Sequence, residues 1–218
     1  MPGSSNDNEI LNSALAELCS DDVLVQNEGV VAVIHIGKVA IPAVLPLLES
    51  DVPEQRAQAM YALAQIADPG TVEAFQRGLQ DQDERVRAYA AEGLAHIGHQ
   101  DALTACLHTL NDAPDEAHLD MTPAVRALGQ MGMRAVPALV DLLMNEDEFT
   151  RLHAQRALVM ILDQRHGFHL GQGFPTPEAE EQVRAVWKDN GGYDYSADAA
   201  TRAAAVAKWR RWLEAAEK

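Results

Sequence analysis

One seven-residue pattern recurs five times along this chain, as VAVIHIG at 31–37, YALAQIA at 61–67, EGLAHIG at 92–98, RALGQMG at 126–132 and RALVMIL at 156–162. Its aliphatic centres, Val33, Leu63, Leu94, Leu128 and Leu158, are 30, 31, 34 and 30 residues apart. A period of that length marks a supersecondary unit too small to bury its own apolar face, which becomes stable by stacking on its neighbours. The expected fold is therefore an all-α solenoid. A small residue (Ala32, Ala62, Gly93, Ala127, Ala157) precedes each aliphatic centre, as close helix-to-helix approach requires.

The third copy, 81–112, shows what one unit contains. Val86, Ala90, Leu94 and Ile97 follow spacings of four, four and three, one face of a helix. Gly98 stops that helix and Asp101 opens a second, whose apolar face is Leu103, Cys106, Leu107 and Leu110. Hairpins are thus expected at 21–50, 51–80, 81–112, 113–145 and from 146 through 162. A polar lead at 1–8 and a short capping helix at 9–20 precede them. A Gly- and Pro-rich loop at 163–177 and a helical cap at 178–218 follow. The fourth copy is longer by about three residues, at 113–122, and Pro123 then starts or kinks its first helix.

The copies carry the shape Arg-x-x-Ala-x-x-x-Leu-x-x-Ile-Gly, complete in Arg87, Ala90, Leu94, Ile97 and Gly98. It recurs as Arg56, Ala59, Leu63 and Ile66 and as Arg151, Ala154, Leu158 and Ile161. This shape resembles short HEAT repeats of the kind also found in phycobilin lyases, and the resemblance covers about 21–162. It implies a right-handed α-solenoid, an α–α superhelix of about five HEAT-like hairpins with helical caps. It also implies a ladder of Asp–Arg pairs between repeats, interrupted where Gln26 and Met121 replace the Arg.

In the second helices, Val44, Phe75, Cys106 and Leu139 form one apolar column, Leu48, Leu79, Leu110 and Leu143 another, and Ala43, Ala74, Ala105 and Ala138 a small one. Two further columns change chemistry at every step: Pro46, Arg77, His108 and Asp141, and Leu47, Gly78, Thr109 and Leu142. Unvaried columns build a stack and varied ones are free to read a ligand. Pro46, Leu47, Arg77, His108, Thr109, Asp141 and Leu142 are therefore the expected partner-binding residues.

Charge narrows the partner. The chain carries a formal −16, and residues 1–112 hold 5 basic against 17 acidic side chains. That half lacks the basic track that nucleic acid requires, and it suits a basic protein or peptide segment. Val30–Ile34, the longest apolar run, is too short to span a bilayer, and the beginning has no basic-then-apolar secretion pattern. A cytoplasmic location is the expectation, with no membrane partner. The last helix, with Lys208, Arg210 and Arg211 around Trp209 and Trp212, reads as a cap before it reads as a lipid- or partner-binding helix.

Catalytic and metal motifs do not surface. HEXXH, GxSxG and a phosphate-binding Gly loop are missing from the sequence. The His-Glu dipeptide that marks iron-binding HEAT proteins is missing too. His35 and His96 share a column with Gln65 and Gln130 near a helix end, where a polar residue bonds a backbone carbonyl. Cys19 and Cys106 fall at apolar-facing positions. The reading is a non-catalytic scaffold without cofactor or metal that grips a protein or peptide on its concave surface. The alternative, taken from the resemblance alone, is a lyase-like or chaperone protein that handles a tetrapyrrole or other prosthetic group.

Overall fold

A computed structural model describes residues 5–169 and 171–216. Among them the only β feature is an isolated bridge between His169 and Gly173, and the rest is helix and turn. The described residues fall into two compact units, Met1–Ala105 and Cys106–Lys218. All five repeat centres, Val33, Leu63, Leu94, Leu128 and Leu158, are buried, so the period read from the sequence is the period of the core.

Unit 1 contains α1 (Ser5–Leu18), α2 (Val23–Ile36), α3 (Ile41–Val44), α4 (Pro53–Ile66), α5 (Val72–Gly78) and α6 (Glu84–His96), and α7 (Ala102–His108) begins within it. Helix α1 starts at Ser5, inside the stretch expected to be an unstructured lead; residues 1–4 of that lead lie outside the described residues. Helix α2 packs on α1 and α4, and α4 on α6, while α5 covers α6. Gly29 explains the tight start. A β-carbon there would fall 2.2 Å from the Leu18 backbone nitrogen, so the two backbones touch at a position that Ala59 and Ala90 occupy in the next copies.

By composition, Val23–Glu49 is long and apolar enough to cross a membrane, a wider stretch than the run of five at 30–34. The backbone breaks it. Gly37 sits at φ +71°, a left-handed conformation that L side chains disfavour. Two 3₁₀ turns, Gly37–Ala40 and Leu45–Glu49, flank α3. The stretch is thus the first hairpin.

The loop before the first helix of each hairpin uses one device. The first loop residue accepts a hydrogen bond from the amide two residues on: Ser20 from Asp22, Ser50 from Val52, Asp81 from Asp83, Asp115 from Ala117 and Asn145 from Asp147, at 2.8–3.2 Å. Such side-chain turns aim the chain into the next helix. Asp22, Asp83, Thr122 and Asp147 then cap α2, α6, α8 and α10, and Pro53 and Pro123 take the first positions of α4 and α8.

Six residues after that loop position stands the repeat arginine. In unit 1, Arg56 donates to the Ser50 carbonyl at 2.9 Å and bidentately to both Asp81 oxygens at 2.9 and 2.8 Å. Both side chains are 16% exposed. The ion pair holds Asp81 below the usual carboxylate pKa. In the first copy Gln26 reaches the equivalent Ser20 carbonyl at 3.4 Å and accepts from Gln58, a neutral substitute for the ladder.

Unit 2 contains α8 (Pro123–Met131), α9 (Val136–Leu142), α10 (Glu148–Arg165), α11 (Pro177–Asp189) and α12 (Ala199–Ala216). Helix α10 packs on α8 and α9, α11 lies on α10, and α12 packs on α9. Pro123 starts α8 and does not kink it. Helix α10 runs to Arg165, three residues past the expected end at Leu162, because the stop glycine has moved to Gly167, at φ +83°. At the Arg position of the fourth copy, the Met121 sulfur accepts from Arg156 at 3.3 Å. Arg151 replaces the missing ladder partner with a carbonyl of the C-terminal turn, donating to Tyr195 O at 2.9 Å.

The C-terminal turn is fastened at two more points. The Tyr193 hydroxyl donates to the Leu143 carbonyl at 2.5 Å, and the Tyr195 amide to Gln155 Oε1 at 2.9 Å. Burial pushes the Tyr193 phenol up to about 12. Trp209 is fully buried and meets Trp187 and Trp212 edge-on, with centroids 5.5 and 5.4 Å apart. Trp209 therefore belongs to the core.

Candidate docking faces

The exposed residues of the varied columns sit on short segments whose other side is core. In unit 1 these are the Leu45–Glu49 turn, packed on α4, and α5, packed on α6. Val44 and Phe75 are buried below them, which leaves Pro46 and Arg77 exposed and Leu47 half-buried. Arg77 and Glu49 join the two segments through an ion pair at 3.2 Å, with side chains 68% and 71% exposed. An ion pair so open to water contributes at most about 1 kcal/mol, so it yields readily to a competing ligand.

Beside this pair lies a cavity of about 270 Å³ lined by Leu48, Met60, Ala74 and Val86 with Glu49, Arg77 and Asp81. Gly78 forms part of its wall; a β-carbon there would stand 2.4 Å from the Met60 methyl carbon. Its lining mixes aliphatic side chains with the charges of Glu49, Arg77 and Asp81.

The cations of unit 1 are all engaged. Lys38 pairs with Asp68 at 2.9 Å, Arg56 with Asp81, Arg77 with Glu49, and Arg85 with Glu54 and Asp83. Arg87 donates to the Asp81 and Gln82 carbonyls at 3.0 Å. Exposed carboxylates such as Glu28, Asp51, Glu73 and Glu84 remain to set the field of this unit.

In unit 2, His108 and Asp141 are exposed and Leu142 is half-buried. Asp141 accepts from Arg210 of α12 at 3.0 Å. Thr109, expected at the binding face, is instead fully buried. It lies just past the end of α7, where the chain turns inward and its carbonyl accepts from the Asp112 amide. Gly78, one column-step earlier, is buried as well, so that column faces the core at its middle positions.

Glu49 and Arg210, the partners of Arg77 and Asp141, were not singled out by the sequence columns. Glu49 lies three residues beyond Pro46, a helical neighbour on the same face. Arg210 belongs to a helix that reads as a terminal cap, yet it packs on α9 as a second helix of the fifth hairpin would.

The other titratable groups serve the fold. His96 Nδ1 lies 2.9 Å from the Ala64 carbonyl of the preceding hairpin, and His35 Nδ1 2.9 Å from the Val31 carbonyl of its own helix. Burial raises the Cys19 thiol, away from the reactive thiolate, and Cys106 is in the core. Among the described residues no three His, Cys, Asp or Glu side chains gather to hold a metal ion.

Residues 41–118 match the family model for HEAT repeats, and residues 124–143 the model for the PBS lyase HEAT-like repeat. No curated protein matches the sequence. Among solved structures, the chain is similar to an engineered protein from a structural genomics consortium, with 22% identity over 94% of this chain and 97% of that one and a TM-score of 0.43. A second engineered protein from the same source shows 21% identity over 92% and 98%, with a TM-score of 0.44. Computationally designed armadillo repeat proteins for modular peptide recognition show 18% identity over 92% and 98%, with a TM-score of 0.38.

Proposed function

We propose that this HEAT-repeat chain is a non-catalytic scaffold that grips a basic peptide or protein segment along the exposed side of the second helices of unit 1, with the Pro46, Leu47, Glu49 and Arg77 face as the principal contact. The observation that carries this reading is the charge state of unit 1. Every lysine and arginine there is already paired or hydrogen-bonded within the unit, so the excess carboxylates are left to face a ligand. Long-range attraction then steers a cationic segment, and like charge rejects an acidic one.

The cavity beside Glu49 fits that ligand. A lysine or arginine stem lies against Leu48, Met60 and Val86, and its charged head meets Glu49, displacing Arg77 from a weak pair. Its volume of about 270 Å³ suits a single long side chain, which makes the contact modular, one anchor at a time. The tetrapyrrole alternative rests on likeness to lyase repeats, and no side-chain arrangement among the described residues favours it.

Fluorescence anisotropy with a labelled Lys/Arg-rich peptide, its Glu-for-Lys/Arg counterpart and the Glu49→Gln/Glu73→Gln variant tests the proposal. The expected result is saturable binding of the basic peptide alone, weakened about tenfold by the two substitutions and further by salt, since exposed charges are screened beyond about 8 Å at physiological ionic strength. Equal binding of the acidic peptide, or an unchanged affinity in the variant, overturns it.

A further inference from the structure

The extra residues of the fourth copy form an ordered excursion. The Asp115 side chain accepts from the Ala117 and His118 amides at 2.8 and 2.9 Å, and its own amide donates to the Met121 carbonyl at 2.8 Å, closing the loop. The buried Thr122 hydroxyl donates to the Leu110 carbonyl at 3.0 Å and caps α8. From α10, His153 reaches in: it is 1% exposed, with Nε2 2.8 Å from the Leu119 carbonyl and Nδ1 2.7 Å from Asn111 Oδ1. Asn111 is oriented in turn by donating to Asp147 and Thr150.

All this holds Leu119 outward. Its side chain is 57% exposed, as is that of Phe149, and both adjoin His153, Leu119 through its carbonyl and Phe149 through ring contact at 6.5 Å. A chain that only needed to close a hairpin would leave neither side chain in water on so well-fastened a backbone. Close to them in sequence are Asp115, Glu116 and Asp120 in the same loop and Glu148 beside Phe149, all exposed except the half-buried Asp120. Arg156 neutralises Asp120 at 3.2 Å; His118 lies 3.5 Å from Asp115.

We infer that the Leu119–Phe149 patch of unit 2 is a second docking site, and that its occupant is a basic amphipathic segment whose apolar side covers the two residues. The acidic rim decides between candidates. A second copy would set the same carboxylates against themselves, and an anionic lipid surface is repelled by them, whereas lysines and arginines flanking an apolar face pair with them. Exposed apolar groups ringed by charge are the ordinary form of an interaction site. The site stands apart from the Glu49 face and uses none of its residues.

Thermophoresis with the full chain tests it, using a Lys/Leu amphipathic helical peptide and its Glu/Leu counterpart against Leu119→Ser/Phe149→Ser. Both side chains are more exposed than buried, so circular dichroism should show the variant folded with an unchanged melting temperature. The expected result is Lys/Leu peptide binding that includes a component weakened at least tenfold by Leu119→Ser/Phe149→Ser and retained in Glu49→Gln/Glu73→Gln, whose loss falls on the other face. The last arm keeps failure of this site distinct from failure of the Glu49 face. In the Glu49→Gln/Glu73→Gln background, binding undiminished by Leu119→Ser/Phe149→Ser overturns the inference, as does sedimentation showing a parent dimer that this variant turns into a monomer.

Discussion

Unit 1 and unit 2 use the same hairpin with different fastenings. In unit 1 the repeat is regular, and charge joins successive copies: Arg56 to Asp81, and Arg85 to Glu54. In unit 2 the arginine ladder is interrupted at Met121; exposed ion pairs such as Arg210–Asp141 and Arg156–Asp120 remain, and the buried fastenings are the Tyr193 and Tyr195 bonds and the tryptophan cluster. Interior packing is insensitive to pH and salt, while a charge ladder is not. The two halves of one repeat array should therefore fail under different conditions.

The largest expected effect sits in unit 2. Trp209→Ala should cost about 4 kcal/mol, since it removes a buried aromatic and leaves a cavity. The Trp209 indole nitrogen is buried without a hydrogen-bond partner in the described structure, so Trp209→Phe should cost much less; chemical denaturation of the two variants checks the ordering. Next comes the ladder of unit 1. Arg56→Ala should cost about 3 kcal/mol at neutral pH, because it strands the Asp81 carboxylate in a largely buried site.

That cost carries a pH signature. Arg56 depresses the Asp81 pKa in the folded state, so the pair's stabilisation is fully present above the unfolded carboxylate value and is lost as pH falls through the folded one. The difference between wild type and Arg56→Ala should shrink on acidification, whereas the Trp209→Ala difference should persist. Thermal melts of both variants across the acid range measure this. A smaller effect is expected at Ala67, which ends α4 at φ +52° where Gly37, Gly98 and Gly132 end their helices. Ala67→Gly should stabilise by about 0.5 kcal/mol, strain relief exceeding the entropy glycine adds to the unfolded chain, and should raise the melting temperature slightly.

The core was readable because its signal is periodic. Val33, Leu63, Leu94, Leu128 and Leu158 recur at a nearly constant interval, and all are buried. The candidate docking residues were only partly readable, because a column of varied residues says that a position changes and not which way it points. Pro46, Arg77, His108 and Asp141 lie outward, while Thr109, one position further round, turns into the core at the end of a short helix. The fifth hairpin was the least readable. Its stop glycine is displaced to Gly167, and α11, whose residues are at most half-buried, follows α10 where the pattern calls for a second helix. An insertion destroys the register that reveals a repeat, even though α12 still packs on α9.

An NMR titration of the isotope-labelled full chain with an arginine-rich peptide tests the scaffold reading most directly, because it locates the ligand residue by residue. The account predicts amide shifts concentrated in 45–49 and 72–80, growing at low salt and suppressed in Glu49→Gln/Glu73→Gln. Shifts that leave those two segments untouched would contradict it.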